Sequence, residues 1–332
     1  MKLGLQLGYW TRGPAPGTLE MLLEAERLGF DSAWTAEAYG SDALTPLAWW
    51  GARTERIKLG TAIMQLSARA PTATAMAALS LDHLSGGRFI AGLGVSGPQV
   101  VEGWYGAQFA KPLARTREYV SIMRQVFARE GPVENAGPHY PLPRTGSELG
   151  KALKPSIHPF RDGPPIYLAA EGPKNIALAG ELCDGWLALF FSPAEDAWYR
   201  NALGDIGPDF EVAATVPFVL GDPEAAADTL RPMYALYFGG MGAKAANFHA
   251  DVAKRMGYEG EIARVQELYL EGRKDEAGAA LPFALIDELA LLGPPDRIRD
   301  RLAAWDESVV TTLLIAGPRD TLRTAAELVL SS

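Results

Sequence analysis

The 332 residues are 48% hydrophobic and 21% charged, with a formal net charge of -9. That balance belongs to a globular chain with a large core and excludes a disordered or fibrous one. The acidic excess argues against nucleic acid or an anionic membrane surface as a main partner, because no cationic surplus is available to neutralise phosphates.

Short apolar runs alternate with amphipathic ones from the start. The first strand is predicted at 3–9, directly after Met1-Lys2, with no basic segment leading into a long apolar stretch. Neither a signal peptide nor a membrane span is therefore expected, and the reading is cytoplasmic. A helix follows at 18–28, where Leu19, Leu22, Leu23 and Leu28 recur at near-helical spacing, Thr18 can cap the start and Gly29 ends the run. The pairing repeats, with strands at 32–37, 58–66, 88–95, 166–171, 185–191, 211–220 and 310–316. Helices are predicted at 43–53, 72–84, 113–129, 173–182, 223–237, 295–305 and 319–330. Such alternation needs parallel strands with right-handed helical crossovers. Eight units suit a closed (β/α)8 TIM barrel better than an open doubly wound sheet.

Two stretches interrupt the pattern. Residues 131–165 are rich in Pro and Gly, with a short hairpin around Gly137-Pro138-His139-Tyr140, and residues 238–292 are mostly helical, at 244–256 and 262–270. Barrel units resume after each. The chain 1–332 is thus read as one domain with insertions at about 131–165 and 238–292, placed at the C-terminal face, where they cover ligands and exclude water.

Chemistry-bearing residues are sought at that face. Glu37 ends the second strand; an isolated carboxylate there suits catalysis, a solvated rim or a helix cap. The third strand carries Thr61 and Gln65 near its end. Gly92-Leu93-Gly94-Val95-Ser96-Gly97-Pro98 lacks the helix start of a dinucleotide fingerprint. It reads either as a strand end kept free of side chains for a flat ring, or as a tight turn. Ala169-Ala170-Glu171-Gly172-Pro173-Lys174-Asn175 closes a strand and opens a helix. Its free amides, helix dipole and Lys174 form a candidate phosphate cradle, with Gly172 allowing close approach and Pro173 suited to the first turn. The plainer reading is an ordinary turn with a surface lysine. The single cysteine, Cys183, precludes an intrachain disulfide and reads as a small buried packing residue. With His83, His139, His158 and His249 it makes no zinc-ligand spacing, and no nucleophile elbow, Walker sequence or triad spacing is visible.

Together these runs resemble the luciferase-like monooxygenase superfamily. Leu81-Asp82-His83-Leu84-Ser85-Gly86-Gly87-Arg88-Phe89 followed by Gly92-Leu93-Gly94 resembles its signature. Glu171-Gly172-Pro173-Lys174 with Cys183-Asp184-Gly185-Trp186 is similar to its ligand-phosphate turn and the strand after it. Glu37-Ala38-Tyr39, Arg56-Ile57-Lys58-Leu59-Gly60-Thr61 and Pro112-Leu113-Ala114-Arg115-Thr116-Arg117-Glu118-Tyr119 look like the branch that uses the deazaflavin coenzyme F420. The resemblance covers nearly the whole chain in order, and is weakest in the second insertion and near the C-terminus.

The resemblance implies F420 as cofactor, with FMN as the alternative, and a small-molecule substrate. Ala62-Ile63 matches a bulged pair joined in relatives by a cis peptide against the deazaflavin ring. Gln65, Gly94, Val95 and Ser96 match the cofactor-lining strand ends, Glu171, Gly172, Pro173 and Lys174 the phosphate turn, and Glu37 an acidic position beside the ring. Glu37 and Tyr39 are the implied catalytic candidates. Sugar-phosphate dehydrogenases of the family carry a histidine directly after that acidic residue; here Ala38 stands there, which counts against that activity. Tyr9, Trp10, Trp104 and Tyr105 are candidates for the opposite wall. The implied reaction is hydride transfer between F420 and an activated C=C, C=N or carbonyl/alcohol. The alternatives are an FMN-dependent monooxygenase and a non-catalytic barrel used for binding. A homodimer through barrel helices is also implied.

Overall fold

The computed structural model describes residues 1–10, 12–241 and 247–330. Its strands are β1 (Lys2–Gly8), β2 (Ser32–Thr35), β3 (Lys58–Thr61), β4 (Met64–Gln65), β5 (Phe89–Gly94), β6 (Ile166–Ala169), β7 (Gly185–Leu189), β8 (Glu211–Leu220), β9 (Leu291–Gly293) and β10 (Thr312–Ala316). Each pairs in parallel with its neighbours, and β10 pairs with both β1 and β8. This closes β1-β2-β3-β5-β6-β7-β8-β10 into the eight-stranded (β/α)8 barrel that the alternation predicts.

The two-residue period of the strands divides the core. Leu3, Leu5, Ala33, Leu59, Phe89 and Leu168 pack with the surrounding helices, whereas Trp34, Ile90, Tyr167, Leu187, Ala213 and Leu314 form a separate cluster that fills the lumen. Trp34 is the largest of these, and two glycines make room around it. A Cβ on Gly60 would stand 2.2 Å from its ring, and one on Gly4 2.4 Å from Leu314. The indole Nε1 donates to Ser32 Oγ at 2.9 Å, so the buried donor is satisfied.

The signature run before β5 lies at the opposite end from the mouth and ties the barrel floor. Asp82, fully buried, accepts from Arg161 Nε and Nη2 at 3.1 and 2.8 Å, and the same Nη2 donates to Phe89 O at 2.7 Å. Arg88 donates to Ile57 O, Thr54 O and Ser85 O at 2.6, 3.0 and 2.8 Å. Asp184 does similar work, accepting from Ile166 N and from Arg124 Nη2, both at 2.7 Å. Cys183 follows the helix Pro173–Leu182 rather than lying inside it; it is half-buried, and burial pushes its thiol up to about 12.

The predicted third strand is broken. Ala62-Ile63 is a cis peptide that separates β3 from β4. Across the break Thr61 Oγ1 takes over the pairing with β5, donating to Gly92 O and accepting from Gly92 N, both at 2.9 Å. The first insertion holds the expected hairpin as a bridge between Asn135 and Leu142, pinned by Glu118 Oε2, which accepts from the amides of His139 and Tyr140.

The second insertion builds its own hydrophobic cluster from the helices Pro223–Ala235, Phe248–Arg255, Glu259–Leu270, Lys274–Ala279 and Phe283–Glu288 and the π-turn Leu236–Gly240. The cluster reaches back to Ala226, ahead of the predicted boundary at Phe238. Residues 244–246 of the predicted helix 244–256 lie outside the described residues. The strand β9 was not anticipated: it pairs with Phe218–Leu220, the end of β8 that overhangs the barrel. The helices Pro98–Gly103 and Asp196–Leu203 are likewise additions to the predicted pattern. Among the described residues no helix is long and apolar enough to cross a membrane.

Candidate active site at the barrel mouth

The C-terminal ends of β2 and β4 are joined by one carboxylate. Glu37 is buried, and all of its acceptor capacity is taken. Its Oε1 accepts from Gln65 N at 2.8 Å and Arg69 Nη1 at 2.6 Å; its Oε2 accepts from Ala43 N at 3.1 Å and Arg69 Nη2 at 2.9 Å. The bidentate fork is the strong form of this pairing, and the Glu37 carboxylate bonded to it holds the Arg69 guanidinium above its ordinary value. Arg69 is held in turn by the buried Tyr119, whose hydroxyl donates to Arg69 O at 3.1 Å and shares a 2.5 Å hydrogen bond with Thr74. Gln65 Nε2 donates to Glu37 O and Ala38 O at 3.2 and 3.0 Å, which leaves its buried Oε1 without a partner among the described residues.

The bulge stands on the lumen cluster, where Ala62, Ile63 and Ala169 pack against it. The Ala62 amide donates to Thr35 O at 2.7 Å and Ile63 O accepts from Glu37 N at 3.2 Å, so the break is tied to β2 on both sides. The two glycines of β5 are explained by this same bulge. A Cβ on Gly92 would lie 1.7 Å from Thr61 O, and one on Gly94 2.8 Å from the Ile63 side chain. The neighbour that requires them is protein rather than ligand. Beyond them Ser96 is held at φ 59, a left-handed conformation uncommon for a residue with a side chain.

The turn after β6 is different. A Cβ on Gly172 would meet nothing within 4 Å. Pro173 opens the helix Pro173–Leu182, and Lys174 is exposed with no partner among the described residues. Asn175 Nδ2 donates to Ala169 O at 3.2 Å while its buried Oδ1 has no partner among the described residues. A positive end of a helix, an unpaired lysine and an orphaned polar atom share one small turn.

Glu171 faces away from that cradle. Its Oε1 is 2.7 Å from His249 Nδ1, a contact between the end of β6 and the insertion helix Phe248–Arg255. The imidazole stands edge-on to Tyr237, centroids 4.9 Å apart, and to Phe190 at 5.8 Å. Burial pushes the Tyr237 phenol up to about 12, with Tyr9, Glu171 and Tyr39 adding to it, so Tyr237 remains a donor at neutral pH. Asn247 fixes this corner: its Oδ1 caps Ala250 N at 3.1 Å, and its Nδ2 donates to Tyr237 O and Phe238 O, both at 2.9 Å.

The structure brings Glu37, Ala62, Ile63 and Gln65 into contact and sets Gly94 against Ile63; Gly172, Pro173 and Lys174 form the neighbouring turn. Tyr39 is exposed at the rim. Of the suggested wall, Tyr9 lies near Tyr39, and Tyr105 near Glu37 and Arg69, while Trp10 packs on Trp50 with centroids 5.5 Å apart and Trp104 is exposed. Arg69, Tyr237 and His249 escaped the sequence reading. Arg69 stood in plain view just before a helix, a cation close to the end of the third strand and within reach of the Glu37 carboxylate. His249 is 78 residues from Glu171, and no local pattern links them.

A family model described as luciferase-like monooxygenase matches residues 6–312. A Mycobacterium tuberculosis protein named as a coenzyme F420-dependent oxidoreductase is 55% identical over 99% of both chains. A 5,10-methylenetetrahydromethanopterin reductase of Archaeoglobus fulgidus is 27% identical, covering 89% of this chain and 87% of its own. Among solved structures, the coenzyme F420-dependent tetrahydromethanopterin reductase from Methanopyrus kandleri superposes with a TM-score of 0.81 at 21% identity, over 99% of this chain and 98% of that one.

Proposed function

The chain belongs to the luciferase-like monooxygenase family, and on that premise we propose that it is an F420-dependent oxidoreductase transferring a hydride to or from a small organic substrate. The observation that carries the reading is the 55% identity, over 99% of both chains, with a protein that bears the name of a coenzyme F420-dependent oxidoreductase; the match spans the barrel and both insertions.

The residues at the mouth fit such a group. Among the described residues Gln65 Oε1 and Asn175 Oδ1 are buried acceptors without partners, and nothing fills the space at Gly172. When bound, the deazaflavin supplies a two-electron hydride carrier, and the protein supplies orientation and a dry pocket. Ala62, Ile63, Gly94, Val95 and Ser96 form the surface for its ring, and Gln65 offers an acceptor beside it. Gly172, Pro173 and Lys174 hold the phosphate of its tail. Glu37, with its lone pairs already engaged, positions Gln65 and the bulge rather than exchanging protons. Lys174→Ala weakens F420 binding about tenfold, as expected for one charge-assisted contact. A fluorescence titration of wild type and variant with F420 and with FMN checks this; micromolar FMN binding with no affinity for F420 would sink the cofactor assignment.

The protein also forms a homodimer in this reading. A cavity of about 650 Å³ opens between the helices Leu44–Gly51 and Pro71–Leu84, lined by Leu44, Ala48, Trp49, Leu81 and Leu84, with Trp49 77% and Leu84 82% exposed. Paired apolar faces of this kind mark association sites. Light scattering should give a dimer for wild type and a monomer for Trp49→Asp; a monomeric wild type at micromolar concentration removes the assignment.

A further inference from the structure

We propose that His249, oriented by Glu171, is the acid–base group that exchanges a proton with the substrate, and that the substrate is a carbonyl compound or the corresponding alcohol; this rests on the oxidoreductase reading above. A carboxylate only accepts hydrogen bonds, so the 2.7 Å contact with Glu171 Oε1 places a proton on His249 Nδ1 and leaves Nε2 as the exchanging atom. Nε2 has no partner among the described residues, and the His249 side chain is 23% exposed. The ring cannot turn freely, since Tyr237 and Phe190 stand edge-on to it and Asn247 ties its helix to the π-turn. A nucleophile-free dyad of this form, base plus orienting carboxylate, is the arrangement that general acid–base catalysis needs.

The second strand end supplies no competitor. Glu37 is saturated, Ala38 has no titratable group and Tyr39 lies exposed at the rim. Among the described residues the titratable groups in contact with His249 are Glu171 from the barrel and Tyr237 from the π-turn; Tyr9 and Tyr39, from the first two strand ends, lie near Tyr237, and Asp251 on the same helix is paired with Lys254. No group of metal ligands occurs among the described residues. Reduction of a carbonyl balances with these parts. Hydride, with its two electrons, bonds to the carbonyl carbon as the C=O π pair moves to oxygen. The oxygen takes the proton from Nε2–H of the His249 imidazolium, which is left as the neutral Nδ1–H tautomer, with the reduced deazaflavin as the two-electron donor; alcohol oxidation runs the same transfers backwards, the bare Nε2 taking the hydroxyl proton. The Tyr237 hydroxyl and Nε2–H both suit an oxygen acceptor.

The test uses His249→Gln and Glu171→Gln, with Ser192→Ala as a control that cuts a different tether between barrel and insertion, the 2.5 Å bond to Glu288. Nitrogen-15 spectra of histidine-labelled protein, simple with four histidines, should show the Nδ1–H tautomer for His249 and lose it in Glu171→Gln. With a panel of ketones and aldehydes (cyclohexanone, acetophenone, propanal) and reduced F420, His249→Gln should lose about 100-fold in kcat. Its F420 affinity should stay within twofold of wild type and its Tm near that of the control. A kcat within threefold of wild type, an Nε2–H tautomer, or a parallel collapse of F420 affinity overturns the assignment. A wild type that binds F420 but reduces no member of the panel overturns the carbonyl class alone. Failure to bind F420 overturns the oxidoreductase reading beneath it.

Discussion

Arg69→Met should cost about 3–5 kcal/mol of stability at neutral pH, the largest single loss expected outside the hydrophobic core. The substitution keeps the length and apolar stem of the side chain but strands Glu37, whose side chain is only 2% exposed, without its bidentate partner. The two backbone amides that remain, of Gln65 and Ala43, cannot replace a full charge. The effect reaches the mouth as well, because Glu37 fixes the Gln65 amide and links the end of β2 to β4. F420 affinity should therefore fall at least tenfold in the same variant. Urea unfolding gives the stability term, and a double-mutant cycle with Glu37→Gln isolates the pair: the double variant should recover part of the loss, since no buried charge is left unpaired. A loss below 1 kcal/mol for Arg69→Met would show that the carboxylate finds solvent and is no keystone.

Trp34→Ala should cost a comparable 3–5 kcal/mol, roughly the range for emptying a large aromatic site. The lumen around it was shaped in advance by Gly4 and Gly60, so neighbouring side chains have little bulk with which to close the void. Its consequence for function is separable from its consequence for folding. The bulge at Ala62-Ile63 and the Ala169 that leads into the phosphate turn rest on the lumen cluster. At a temperature where the variant remains folded, F420 should bind more weakly, whereas a rim substitution with the same Tm should bind normally. Calorimetry and titration on the same samples check both halves; unchanged affinity would mean that the bulge carries itself.

The barrel was legible because each strand-helix unit repeats the same physical pattern, and eight repeats overdetermine the closure. The backbone at the mouth was legible where a turn is set by its own residues, as at Gly172 and Pro173, whereas the break at Ala62-Ile63 came only with the family resemblance. The mouth was not legible where the meaning lies in a distant partner. Gly92 and Gly94 invite a ligand-based explanation, yet the atoms they avoid are Thr61 O and the Ile63 side chain, on another strand. Glu37 reads as a catalytic acid until Arg69 is seen clamped on it. β9, three residues long, carries too little periodicity to register, and it exists because β8 runs past the barrel rim.

Phe190 offers a last consequence. It directly follows β7 at φ 57, and its ring belongs to the insertion cluster, its centroid 4.8 Å from that of Phe238. It joins the cap to the scaffold together with the Ser192–Glu288 and Glu171–His249 contacts, the short β9 ladder, Arg255 on Glu195 and Trp198, and Asp287 between Arg297 and Arg301. The clips of Asp82 and Arg88 that secure the barrel stand at the other end. Foldedness and selectivity thus occupy different stretches of one polypeptide. A cap whose ties can be named one by one can be varied between them, and a library within residues 223–293 that spares those ties and His249 would explore new substrates while leaving the chassis untouched.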